Sequence, residues 1–234
     1  MGAGGAGGMS APTPRRALVF GDSNAWGFWI PDRPGQPLRR VPFTQRWAGV
    51  AQAALGPGWV IEEEALPGRL ARGERQLGAL DPAAYDGSRT LAPAMVRHLP
   101  LDLVVLALGT NDLLQEPTPP AEEVCDRIMG LAHLVGRVVM PVPLEGMPGP
   151  ARVLVLAPVG IRPDAPDRAD PAKAEAERAR LVPLLRNACA QAGYAFADAA
   201  EAVPVPGPDG VHFGPAENAA LGALAARAIA KAFP

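Results

Sequence analysis

The chain has 234 residues, 48% of them hydrophobic and 20% charged, with a net charge of -2. That length suits one sizeable core and is long for two. The near-neutral balance excludes the basic footprint of a nucleic-acid binder and a polybasic membrane patch, and no apolar run reaches the roughly 18 residues of a membrane span. Positive charge is almost all arginine, the only lysines being Lys173 and Lys231. Cys125 and Cys189 both fall in stretches that read as helices, so two reduced, buried thiols are expected and not a disulfide framework.

Residues 1–14 are mostly Gly, Ala, Pro and Ser with no apolar segment. They read as a disordered tail without the hydrophobic centre of a secretory signal, which favours the cytoplasm. Residues 17–20 are a short apolar run that predicts a buried strand, stopped at Gly21-Asp22-Ser23. Residues 28–41, with Pro31, Pro34, Gly35 and Pro37, form a loop directly after that serine and are placed to shape a site there. A helix is predicted over 44–55, with Thr44 as its cap and Gly56 as its end. Residues 59–64 are the next strand, running into the Pro67-Gly68 turn. Its run Glu62-Glu63-Glu64 reads as a solvated strand end, with a metal or acid–base cluster as the rival.

Residues 70–87 are irregular, and 88–98 read as a short helix. Residues 101–108 are the clearest buried strand, ending in Gly109-Thr110-Asn111-Asp112. A helix follows over 120–135, then a Pro- and Gly-rich linker or lid over 136–150. Residues 152–157 are another buried strand. Asp170 and Pro171 open a long helix to about 192 as cap and first-turn proline. Residues 194–197 are the last strand, 209–213 a loop, and 215–233 a closing helix. Five buried strands near 17, 59, 102, 152 and 194 thus alternate with helices. That pattern predicts an α/β fold: a three-layer, doubly wound, mostly parallel sheet with helices on both faces, in one domain over 15–234.

In a parallel sheet the carboxyl ends of the strands share one edge, and sites form there. Ser23, Gly68, Asn111 and the Asp209–His212 pair all follow strand ends. A hydroxyl, a backbone N–H at a glycine turn, an amide and a His–Asp pair are the inventory of acyl transfer. For Asp22-Ser23 alone, a helix cap or turn is the competing reading. His98, at a helix end, and His133, on an amphipathic helix, read as packing or surface residues, because neither has partners at metal-ligand spacing. No metal and no cofactor are expected, and no Gly-rich phosphate loop follows a strand.

Three blocks, Gly21-Asp22-Ser23-Asn24, Gly109-Thr110-Asn111-Asp112 and Asp209-Gly210-Val211-His212, occur in order, each at a strand end. Together they resemble the SGNH (GDSL) hydrolases, which implies a flavodoxin-like sheet. The resemblance implies Ser23 as nucleophile, His212 as general base and Asp209 as its partner. It also implies an oxyanion hole of Ser23 N–H, Gly68 N–H and the Asn111 side chain, Gly68 being chosen by its position in the turn after the second strand. Asn24 departs from the usual leucine, a difference that bears on the polarity of the local pocket and not on the mechanism. Asp22 is ranked as structural.

Trp26-Gly27, Arg46-Trp47, Ile61-Glu62-Glu63 and residues 98–103 further resemble the mycobacterial arylesterase/acyltransferase (perhydrolase) type. That implies hydrolysis of small acyl esters, acyl transfer to alcohols or peroxide, and homo-oligomers assembled through loops, here 28–41 and 136–150. Transfer needs a pocket that disfavours water, for which Asn24, Ala25, Trp26 and Phe213 are the expected walls, with ordinary core packing as the competing reading for Ala25, Trp26 and Phe213. The expected partners are a small-molecule ester and an acyl acceptor, with no nucleic acid and no membrane. A carbohydrate deacetylase, a lysophospholipase or thioesterase, a silent binding scaffold, and a helix N-terminus that holds an anion are the alternatives. The last has no use for Asp-x-x-His, and a scaffold is free to lose it.

Overall fold

The computed structural model describes residues 13–31, 36–138, 149–166 and 168–233. The expectations for the tail, for the middle of the 28–41 loop and for most of the 136–150 segment fall outside these. In chain order the strands are β1 (Arg15–Gly21), β2 (Phe28–Trp29), β3 (Arg39–Arg40), β4 (Trp59–Ala65), β5 (Leu103–Ala107), β6 (Arg152–Ala157) and β7 (Ala195–Asp198). The helices are α1 (Ser23–Trp26), α2 (Trp47–Leu55), α3 (Gly87–His98), α4 (Thr110–Leu113), α5 (Ala121–Val135), α6 (Pro171–Ala192) and α7 (Pro215–Ala232). Five strands form one sheet in the order β4-β1-β5-β6-β7, every pair parallel. β2 and β3 make a separate antiparallel ribbon within the 28–41 loop, pairing Phe28 with Arg40.

The sheet is buried on both faces, and its side chains alternate between two cores. Leu18, Phe20, Val104 and Leu106 point to one, which α3, α5 and α6 cover. Ala17, Val19, Leu103 and Val105 point to the other, which α2 and α7 cover. A strand buried on both faces needs apolar residues at every position, which is why β5 reads as an unbroken Leu-Val-Val-Leu run. Each such side chain contributes roughly 1.5–3 kcal/mol on burial.

Three local readings are corrected. Thr44 does not cap α2: it lies in a 3₁₀ turn (Phe43–Gln45), and Arg46 at the cap position supplies no side-chain bond. The Trp47 N–H instead donates to Asn218 Oδ1 of α7 at 2.9 Å, a tertiary cap. The glutamates of β4 are not a solvated end. Glu62 pairs with Arg16, Glu63 with the nearly buried Arg46, and Glu64 with Arg97 and His98. His98 is therefore tied to the β4 edge, its Nε2 2.9 Å from Glu64 Oε1. His133 packs beside Tyr194, ring centroids 5.8 Å apart. Cys125 and Cys189 are buried and unpaired, as read. Asp170 caps α6 through Lys173 N–H with Pro171 in its first turn, also as read.

Candidate active site

β1 lies at the centre of the site because the chain steps from it to β4 on one side and then crosses to β5 on the other. The crevice at that reversal is where the carboxyl ends of the strands open. The strand stops at Gly21, where a Cβ would come within 2.5 Å of the Ala25 Cβ. Asp22 then caps α1, its Oδ1 accepting from Asn24 N–H at 2.9 Å. So the capping role holds for Asp22, while Ser23, the first residue of α1, turns its hydroxyl to a histidine.

Ser23 Oγ lies 2.8 Å from His212 Nε2, and His212 Nδ1 lies 2.5 Å from Asp209 Oδ2. The loop between them is tight because the other Asp209 oxygen accepts from the backbone N–H groups of Val211 and His212, at 3.1 and 2.9 Å. Gly210 takes φ +75°, and a Cβ there would sit 2.3 Å from Ala165 Cβ. Burial works to raise the Asp209 carboxyl, but the His212 ring and the two N–H donors outweigh it and hold it down at about 2. An ionised carboxylate on Nδ1 selects the tautomer that leaves Nε2 able to accept a proton. Phe28 of the ribbon lies against the imidazole, centroids 4.5 Å apart.

Across Ser23, Asn111 follows β5 as the second residue of α4, and Gly68 follows β4. Asn111 Nδ2 donates to Asp22 Oδ2 at 3.3 Å, and Asn111 Oδ1 accepts from Arg75 Nη1 at 3.0 Å. Asp112 beside it is fully buried and braces the neighbouring loop: Oδ2 accepts from Ala71 N–H at 2.9 Å and Oδ1 from Arg127 at 3.1 Å. Gly68 has φ +88°, a left-handed backbone that a side chain would strain. Burial pushes the Asp22 carboxyl up to about 6, against the Asn24 N–H and the charges of His212 and Arg69.

These residues border a cleft of about 310 Å³ that contains Ser23, Gly68, Asn111 and His212. Its walls are Phe28, Leu77, Leu114 and Val211, with Arg75 and Arg168 as the charged members. The four expected wall residues are elsewhere. Ala25 and Phe213 are buried in the core on the α2–α7 side. Asn24 is buried too, its Nδ2 donating to the Val211 carbonyl at 3.3 Å, so it clasps the His212 loop onto α1. Trp26 lies under the Arg40 guanidinium, 4.4 Å from its centroid. Of the residues close to Ser23 and His212 in the chain, Ala25 and Phe213 point into the layer beneath, whereas Val211 lines the cleft. Arg75 and Leu77 carried no signal in the sequence, because no periodicity or motif marks the 70–87 connection, and Leu114, just past α4, lies outside the Gly109–Asp112 block. Phe28 was placed by the loop expectation alone.

A larger groove of about 580 Å³ lies at the opposite edge of the sheet, where β6 and β7 begin, lined by Arg152, Tyr194 and Lys231. It holds no nucleophile–base pair, so size alone does not mark the site. Among the described residues no three His, Cys, Asp or Glu side chains are grouped to hold a metal, and no helix is long and apolar enough to cross a membrane.

The GDSL-like Lipase/Acylhydrolase family matches residues 19–220. The chain belongs to that family. Among solved structures it is similar to Est24, a carbohydrate acetylesterase from Sinorhizobium meliloti, at 32% identity over 94% of this chain and 100% of that one, TM-score 0.83. It is also similar to the M. smegmatis aryl esterase, at 29% identity over 93% and 99%, TM-score 0.79. A lipolytic G-D-S-L family protein from Veillonella parvula, 13% identical over 91% and 97% with TM-score 0.64, shares the fold. No curated protein sequence matches the chain. Family and neighbours make this GDSL hydrolase a carboxylic ester hydrolase of α/β fold, as the three blocks implied.

Proposed function

We propose that this hydrolase cleaves small acyl esters through an acyl-enzyme on Ser23, with His212 as general base and Asp209 as its orienting acid. The observation that carries the reading is the unbroken chain Ser23 Oγ–His212–Asp209 at 2.8 and 2.5 Å, opening on the cleft. His212 Nε2 takes the hydroxyl proton as Oγ attacks the ester carbonyl. The oxyanion is received by the N–H groups of Ser23 and Gly68 and by Asn111 Nδ2. His212 then returns the proton to the departing alkoxide, leaving the acyl group on Oγ. Water, or an alcohol or peroxide, enters, gives its proton to His212 and takes the acyl group, and His212 returns that proton to the departing Ser23 Oγ.

The apolar walls, Phe28, Leu77, Leu114 and Val211, support transfer to an alcohol, because they favour an organic acceptor over water. The modest volume supports a short acyl group. A second reading, a carbohydrate acetylesterase, is favoured by the likeness to Est24, and the Arg75 and Arg168 donors suit a polyhydroxyl partner.

The test is turnover of p-nitrophenyl acetate, butyrate and octanoate, with and without added alcohol, and of an acetylated sugar, for wild type and Ser23→Ala. The reading expects short-chain preference, ester product from the alcohol, and a loss of about 10⁴ or more in Ser23→Ala with the fold intact. Near-normal turnover in Ser23→Ala would remove the triad. Preference for the acetylated sugar, with no transfer, would select the second reading.

A further inference from the structure

Arg75 stands outside the four side chains that the proposed chemistry uses. It lies in the connection between β4 and α3, and that connection is tied down. The Arg75 N–H donates to the Pro82 carbonyl at 3.3 Å, the Tyr85 hydroxyl to the Leu77 carbonyl at 2.5 Å, and Ala71 N–H to Asp112 at 2.9 Å. The neighbouring Glu74 pairs with Arg89, and among the described residues Arg75 has no carboxylate partner. What its guanidinium does hold is the far side of Asn111: Nη1 donates to Asn111 Oδ1 at 3.0 Å and reaches the Gly68 carbonyl at 3.5 Å.

A guanidinium can only donate, and a primary amide has one accepting end and one donating end. Arg75 therefore determines which end of Asn111 faces it, the oxygen. On the other side the Asp22 carboxylate, an acceptor, takes one hydrogen of Nδ2. The second Nδ2 hydrogen is left for the cleft that Asn111 lines. A flipped amide would set donor against donor at Arg75 and acceptor against acceptor at Asp22. A cation on Oδ1 also draws electron density from the amide nitrogen and sharpens its hydrogen as a donor.

We infer that Arg75 is a positioning residue for the oxyanion hole, locking the Asn111 amide with Nδ2 toward the scissile carbonyl and strengthening it as a donor. The inference rests on the reading of Asn111 as an oxyanion donor. Arg75 acts on the transition state through Asn111, so its contribution appears in kcat and depends on Asn111 being there.

The experiment is a double-mutant cycle on p-nitrophenyl acetate: Arg75→Leu, Asn111→Ala and the double variant, with Arg75→Lys beside them and a thermal melt for each. Arg75→Leu is expected to lower kcat about 10-fold or more with KM within about twofold. Arg75→Lys, which keeps a charged donor, recovers part of that loss. In the Asn111→Ala background Arg75→Leu adds little, because the group it acts through is gone. Full additivity, or a loss confined to KM, overturns the inference and makes Arg75 a substrate contact. If Asn111→Ala is damaging and Arg75→Leu is silent, Arg75 positions nothing. If Asn111→Ala is itself silent, the oxyanion reading falls first and the Arg75 inference with it. Should the Leu variant fail its melt, Arg75→Lys against Arg75→Gln, in both backgrounds, decides the same question.

Discussion

Asp209 and His212 reach Ser23 from a single tight loop, three residues apart, whereas Asn111, Gly68 and Arg75 come at it from the ends of two different strands. The first arrangement is local. Both oxygens of Asp209 are spent on its own loop and on the ring it orients. The second is held by long-range braces: Asp22 from the cap of α1, Asp112 from α4 with Arg127 from α5, and the Arg75 connection. A local motif keeps its geometry through short hydrogen-bonded rings. A distributed one depends on the packing of every element that carries a part of it, so damage to the two sides should look different.

The largest effect is expected on the local side. Asp209→Asn removes the carboxylate that selects the His212 tautomer, and kcat for p-nitrophenyl acetate should fall about 10⁴-fold with KM little changed. The same substitution sharpens the acid behaviour. Asp209 is held at about 2 in the folded protein, so its ionisation stabilises the fold above the ordinary carboxylate range and is lost as the pH falls from about 4 to about 2. Denaturant titrations in that window should show a shallower loss in the Asn variant. An unchanged kcat would mean that Asp209 only shapes the loop.

A smaller effect is expected at Gly68, where φ is +88°. The clash of an added Cβ with Leu77 Cδ2, at 2.7 Å, can be relieved by moving that side chain, but the left-handed backbone costs an alanine roughly 1–2 kcal/mol. Gly68→Ala should lower kcat about 10-fold as the turn relaxes, and a kcat equal to wild type would take the Gly68 N–H out of the oxyanion hole.

The smallest kinetic effect and the most informative trade belong to Asp22. In Asp22→Asn the oxygen must stay on Asn24 N–H to cap α1, which turns the new amide NH₂ toward Asn111 Nδ2, donor against donor. Turnover should fall several-fold, of the order of one lost hydrogen bond. Stability should move the other way. Asp22 is raised to about 6 when folded, so the native state is favoured with the carboxyl protonated and loses that advantage as the pH rises to about 6. Asn carries no such cost. The variant should match wild type below pH ~4 and gain up to ~3 kcal/mol above pH ~6. Equal stabilities at pH 8 would show that the ionised Asp22 is fully compensated by its neighbours.

What could be read in advance follows the same division. Ser23 and Asn111 were legible because each follows an apolar run that only a buried strand explains. Asp209 and His212 were legible because their spacing is itself the geometry. Gly68 was reached through the Pro67-Gly68 turn. The pocket walls were not, since Ala25 and Phe213 were chosen for standing beside Ser23 and His212 in the chain. On a short helix and a tight loop, adjacent side chains diverge. Both enter the core, and the walls come from Phe28, Leu77, Leu114 and, on the other side of His212, Val211.

The sequence by itself determined the alternation of strands and helices, the parallel sheet and the residues at its carboxyl edge, because apolar period and strand-ending glycines are local properties of the chain. Only the tertiary structure decided that Glu62, Glu63 and Glu64 are paired with arginines, that Asn24 clasps the His212 loop, and that Arg75 faces the oxygen of Asn111. Each of those is a contact between residues far apart in the chain. Such contacts are selected by the packing of whole layers, and no window of sequence contains both partners.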